Sequence, residues 1–100
     1  MKFGLNDETI GKFNAVFARF PEIERVVIYG SRAKGAYREG SDIDITLVGA
    51  NVTEEIRSKV WLELDDLNTP YLVDLSAFHH LKSQDLIDHI ERVGKVFYEI

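Results

Sequence analysis

Three aspartates and a glycine-rich basic loop are the residues of this sequence whose types and spacing could do chemistry. Asp42 and Asp44 are spaced i, i+2 at the head of an apolar run, Ile43 to Val48. Asp74 lies inside another apolar run, Leu72-Val73-Asp74-Leu75. Residues i and i+2 of a strand share a face, so Asp42 and Asp44 stand about 7 Å apart at Cα with carboxylates able to converge. Two carboxylates ~4 Å apart at an effective dielectric near 20 repel by about 4 kcal/mol. Such a pair takes up a proton or recruits a cation. The donors are oxygens, the chain has no cysteine, and no histidine has ligand spacing. That pattern suits Mg²⁺ or Mn²⁺ rather than Zn²⁺. With Asp74 as a third carboxylate, the set supports a two-metal site, one cation on nucleotide phosphates and one on an attacking hydroxyl. Asp74 could also take the proton of that hydroxyl.

The loop before the aspartates carries the opposite charge. Tyr29-Gly30-Ser31 is followed by Arg32, Lys34 and Arg38, with further glycines at Gly35 and Gly40. Gly30 lets the backbone approach a phosphate closely, and Ser31 offers a hydroxyl and an N–H at the start of a helical turn. Arg32, Lys34 and Arg38 can balance triphosphate charge. Each piece alone has a plainer reading. An Asp-x-Asp at a strand start is usually a solvated turn device, Gly-Ser after a strand is usually a turn, and a basic run is usually a solvated loop. The combination points to nucleotide chemistry. Other motifs fail. Gly30 to Gly35 has Walker A glycine spacing, but Ala36-Tyr37 stand where Lys-Ser/Thr is required. There is no G-x-G-x-x-G, and His79, His80 and His89 make no zinc pattern. Tyr29 and Tyr37 flank the loop within reach of a base, with core or loop packing as the plainer role.

The elements that must position these residues follow from periodicity. Asn6 or Asp7 caps a first helix whose stripe is Ile10, Phe13, Phe17 and Phe20, ended by Pro21. Arg25 to Tyr29 reads as a buried strand, Ser31 to Gly35 as a short helical turn, and Ile43 to Val48 as a second strand. On the second strand Ile43, Ile45 and Leu47 face the core, while Asp42, Asp44 and Thr46 face the site. Thr53 caps a helix carrying Ile56, Val60, Leu64 and Leu67, with Trp61 widening the stripe. Tyr71 to Leu75 reads as a third strand. Ser83 caps a last helix with Leu86, Ile87, Ile90 and Val93 on its apolar face and Gly94 as its C′ residue. Lys95 to Tyr98 reads as an edge strand. The loop between the first two strands is too short for a helical crossover, so they run antiparallel. The expected fold is α+β: a single domain over residues 1–100, its mixed sheet covered by helices on one face, with the acidic face open.

Composition agrees. Hydrophobic residues make up 45% of the chain and charged residues 29%, as in soluble domains. The net charge of −5 argues against nonspecific nucleic-acid binding. No apolar run approaches the ~20 residues of a membrane span, and the first residues are too polar for a signal peptide. A cytoplasmic protein is expected, with its oligomeric state open.

At these residues the chain resembles the minimal nucleotidyltransferases of the DNA polymerase β superfamily. Their signature is h-G-S or h-G-G, about ten residues, then D-h-D-h, matched by Tyr29-Gly30-Ser31 and Asp42-Ile43-Asp44-Ile45. The longer form G-S-R-A-x-G followed by S-D-h-D-h matches through Arg32, Ala33, Gly35 and Ser41. The family's third carboxylate, in an h-h-D-h strand, matches Asp74, and V-G-x-V-h-Y matches Val93 to Tyr98. The resemblance implies a polymerase-β-like fold and Mg²⁺-dependent transfer of AMP from ATP to a hydroxyl. Asp42, Asp44 and Asp74 would be both catalytic and metal-binding; Gly30, Ser31, Arg32, Lys34, Arg38 and Ser41 would be nucleotide-binding. It also implies an antitoxin paired with a helical HEPN-type toxin, whose tyrosine would be the acceptor. The rivals are an antitoxin that neutralises by binding alone, and a transferase acting on RNA or a small molecule.

Overall fold

The computed structural model describes residues 1–100. Asn6 caps the first helix, α1 (Asp7–Ala18), its side chain accepting from Thr9 N at 2.8 Å. Strand β1 (Arg25–Tyr29) leads directly into a one-turn helix, α2 (Gly30–Lys34), and a loop brings the chain back as β2 (Ile43–Val48). Thr53 caps α3 (Glu54–Asp65), accepting from Ile56 N at 3.1 Å. Then come β3 (Val73–Ala77), a short 3-10 turn (Phe78–His80), α4 (Gln84–Val93) and β4 (Lys95–Glu99).

The four strands form one sheet in the order β3-β2-β1-β4. β1 pairs antiparallel with both β2 and β4, while β2 and β3 run parallel, joined by α3 as the crossover. The sheet is mixed, as expected. The third strand runs two residues later than its propensity suggests. Thr69-Pro70 keeps the approach irregular, and Leu72 contributes only a carbonyl, accepting from Ile43 N at 2.9 Å. At the far end Ser76 and Ala77 are recruited by pairing with Thr46 and Leu47.

The core lies on one face. Val26, Ile28, Ile43, Ile45 and Leu47 have no solvent exposure, and they pack against Phe13, Val16 and Phe17 of α1 and Val60 and Leu64 of α3. A bulge in the β1–β4 ladder, between Val26 and Val27, shifts the register so that successive aromatics of β4 turn to the same side. Phe97 meets Phe13 and Phe17 at about 6 Å between centroids, and Tyr98 meets Phe17 at 5.6 Å.

The expectation that helices share one face holds for α1 and α3 but not for α4. Ile90 is buried beside Val27, on the face opposite the core. Gly94 explains how α4 gets there. It is not the left-handed C′ residue expected, since its φ is −64° and ψ 147°. A Cβ at this position would lie 2.6 Å from Val27 Cγ1 and would strike the Ile90 carbonyl oxygen. The glycine is needed for close approach, which lets α4 fold back over β1 and leaves the β2–β3 half of that face open.

Candidate active site

The ladders themselves bring the aspartates together. Tyr29 pairs with Asp44 across β1–β2, and Asp44 pairs with Asp74 across β2–β3. Directly paired residues point to the same face, so Tyr29, Asp44 and Asp74 form a row across adjacent strands spaced about 4.8 Å. Asp42, two residues before Asp44, is exposed just ahead of the strand. One step further along the same face, Thr46 is fully buried. It donates to the Ser76 carbonyl at 3.3 Å and accepts from Ser76 Oγ at 2.8 Å, locking β2 to β3 beneath the carboxylates.

Gly30 sets the other wall. Its φ is +73°, a conformation costly for any side chain. A Cβ there would also collide with Asp44 Oδ2. The turn and the second aspartate therefore touch only because residue 30 has no side chain. Asp44 pays electrostatically for this position. Burial first, then the charges of Asp74 and Asp42, push its carboxyl above the usual range, while His89 and Arg32 pull the other way. Tyr29, only 7% exposed, has its phenol pushed up by burial and then by Asp74; hydrogen bonding with Ser76 opposes this, and Asp44 adds to it. His89 of α4 stands edge-on to Tyr29 at 6.1 Å. Tyr29 is thus packed against the carboxylate row, in keeping with its plainer role.

The basic residues divide. Lys34, at the end of α2, and Arg38, on the loop, are exposed. Arg32, expected to balance phosphate charge, is 3% exposed, and all of its nitrogens are engaged. Nε donates to the Ser41 carbonyl at 3.1 Å and the Asp42 carbonyl at 3.3 Å, Nη2 to Ser41 at 2.7 Å and Nη1 to Phe3 at 2.8 Å. The guanidinium also lies over the Tyr71 and Tyr37 rings, 4.9 and 5.5 Å from their centroids. It holds the loop rather than facing a ligand. Ser41 is likewise used internally, its Oγ accepting from Arg38 N at 2.8 Å. Tyr37 packs on Gly4. Sequence reasoning missed these roles of Arg32 and Ser41 and the position of His89. The pairing of Tyr29 with Asp44 is set by the β1–β2 register, and nothing local in α4 signals that His89 comes near them.

No three acidic, histidine or cysteine side chains already close on one point. The donor chemistry nevertheless fits a hard cation. Asp42, Asp44 and Asp74 offer oxygens alone on one face, Asp44 is crowded by like charge, and the glycine cradle keeps its Oδ2 beside the turn.

Residues 11–100 match the sequence model of the family described as polymerase beta, nucleotidyltransferase. The chain belongs to the polymerase β nucleotidyltransferase family. No curated protein matches it significantly. Among solved structures, this nucleotidyltransferase is similar to a chain of a toxin–antitoxin crystallised with AMP-PNP, at 24% identity and a TM-score of 0.71, covering 96% of this chain and 75% of that one. A complex of tri-AMPylated Shewanella oneidensis HEPN toxin with MNT antitoxin matches at 18% identity and TM-score 0.69, with 96% and 74% covered. A proposed nucleotidyltransferase from Sulfolobus solfataricus matches at 21% identity and TM-score 0.53, with 96% and 91% covered. These likenesses show the polymerase-β-like fold, and the nucleotidyltransferase signature falls on the sheet end just described.

Proposed function

We propose that this nucleotidyltransferase transfers AMP from ATP to a hydroxyl of a partner protein, with a tyrosine of a HEPN-type toxin as the acceptor, and so serves as an antitoxin. The observation that carries the reading is the register Tyr29–Asp44–Asp74 with Asp42 on the same face, set against the side-chain-free Gly30. The matched complexes, one with AMP-PNP and one with an AMPylated HEPN toxin, support the nucleotide and the acceptor class.

Asp42, Asp44 and Asp74 would hold Mg²⁺. Bound there, Mg²⁺ supplies charge neutralisation on the phosphates and lowers the pKa of the attacking hydroxyl. Gly30 and Ser31 offer main-chain N–H groups to a phosphate, and the exposed Lys34 and Arg38 would supply positive charge beside it. The acceptor oxygen bonds to the α-phosphorus, and the bond from that phosphorus to the oxygen bridging to the β-phosphate breaks. Pyrophosphate leaves, and Asp74, the exposed carboxylate at the edge strand, takes the hydroxyl proton. Asp42 and Asp74 are exposed, which leaves this end of the sheet open to an acceptor.

The test is transfer of label from α-labelled ATP to a HEPN-type partner with Mg²⁺. Label on a partner tyrosine is expected with wild type and absent with Asp42→Asn/Asp44→Asn. A double variant that still neutralises the toxin at equal abundance would assign the biology to binding alone.

A further inference from the structure

The first residues of the chain lie outside the stretch matched by the family, yet they touch the loop that carries Asp42. Lys2 and Leu5 exchange main-chain hydrogen bonds of 3.1 and 2.8 Å around Phe3 and Gly4, whose φ angles are +56° and +74°. A non-glycine residue at positive φ persists only when its surroundings hold it there. Three contacts do so. The Phe3 ring stacks on Phe97 at 5.9 Å, Leu5 is fully buried, and the Phe3 carbonyl accepts from Arg32 Nη1 at 2.8 Å.

We propose that this N-terminal turn, residues 2–5, is a positioning element of the active site, acting through Arg32 on Asp42. The guanidinium is fixed from three sides: the Phe3 carbonyl, the Tyr37 ring and the Tyr71 ring. Its remaining donors grip the carbonyls of Ser41 and Asp42. Gly4 presses on Tyr37 so closely that a Cβ would lie 2.8 Å from Tyr37 Cδ2. The turn therefore sets where Tyr37 stacks, and with it where Arg32 holds the loop. Tyr71 leads into β3, so the same guanidinium contacts the approach to Asp74 as well. Residues 34–40 are exposed throughout; beyond the bonds of the Gly35 and Ala36 N–H groups to the Arg32 and Ser31 carbonyls and the Arg38–Ser41 bonds, this clamp is what ties the loop to the fold. A loop free to shift by about 1 Å misplaces a catalytic carboxylate enough to slow reaction about 100-fold.

The catalytic part rests on the nucleotidyl-transfer reading, so the experiment has two independent arms. Gly4→Val strains the turn at its positive φ and displaces Tyr37, with the Phe3 and Leu5 side chains retained. Arg32→Lys keeps the charge but cannot donate to several carbonyls in the guanidinium's fork. The structural arm is amide hydrogen exchange at Arg38 and Ser41, with Val26 and Ile28 as the internal reference. Exchange at the loop amides is expected to rise about tenfold in both variants while the β1 amides stay protected. The kinetic arm is AMP transfer to a HEPN-type partner, where kcat falls about 100-fold and KM for ATP changes little. Unchanged loop exchange, or an equal rise at β1, overturns the proposal. So does wild-type kcat with a loosened loop. If Arg32→Lys does not fold, Gly4→Val decides both arms alone. If wild type transfers no nucleotide, the reading of the site fails and the exchange arm alone decides whether the clamp holds the loop.

Discussion

Gly30 serves two purposes that are separable by experiment. Its backbone angle excludes side chains on conformational grounds, and its Cα lies where Asp44 Oδ2 leaves no room for a Cβ. Gly30→Ala is expected to destabilise folding by about 1–3 kcal/mol in urea titration. Its transfer rate is expected to fall about 100-fold, because Asp44 must move. Asp44 makes a second prediction through pH. The folded protein holds the Asp44 proton more tightly than the unfolded chain does. The group thus favours folding while protonated, and that contribution is lost as pH rises from the ordinary carboxylate range through its raised value. Asp44→Asn, which cannot ionise, is expected to melt above wild type at neutral pH without divalent cations. The gap should close in acid; calorimetry showing an equal or lower Tm at neutral pH would contradict this account. The sequence showed that Asp44 sits beside like charges, but not that Gly30 is the wall it leans on.

Elements depend on a few joints. The parallel β2–β3 pair is held in register beneath the site by Thr46 and Ser76. Thr46→Val removes one hydroxyl and with it the acceptor of the Ser76 Oγ bond across the strands, which is expected to cost about 1–3 kcal/mol by chemical denaturation. The α4–β4 joint depends on Gly94. Gly94→Ala would force Val27 and α4 apart, with an expected loss of about 1–3 kcal/mol and a displaced His89 visible in its NMR shifts. Gly11 is the control. It lies exposed inside α1 with open space around it, so Gly11→Ala is expected to gain about 0.5–1 kcal/mol. The order of elements was legible throughout, because caps, Pro21 and the two apolar periods mark each one locally. What escaped was Gly94, whose constraint comes from a strand far away in sequence, and the late start of β3, set by its partner strand.

For the whole molecule, the sheet divides the work. One face is closed by α1 and α3 into a single core, and the other is shared between α4 and the exposed carboxylates. No helix is long and apolar enough to cross a membrane. Ligand binding should then read out as stability. On the proposed reading, Mg²⁺ with ATP would bind only the assembled site and is expected to raise Tm in wild type, an effect expected to shrink in Asp42→Asn. An equal shift in the variant would place the cation elsewhere.

What this sequence determined alone was the set of parts: three carboxylates, the glycine turn, the alternation that aims Asp42 and Asp44 to one side, and the family signature they spell. Those features are local, since strand periodicity and turn chemistry act over a few residues. Tertiary structure decided their use. Which strand Asp74 neighbours depends on the parallel register across a helical crossover. Whether Arg32 faces a phosphate or its own loop depends on Phe3, Tyr37 and Tyr71, residues brought together only by the closed fold. A guanidinium has enough donors for either task, and burial among carbonyls and aromatic rings committed this one to positioning the loop.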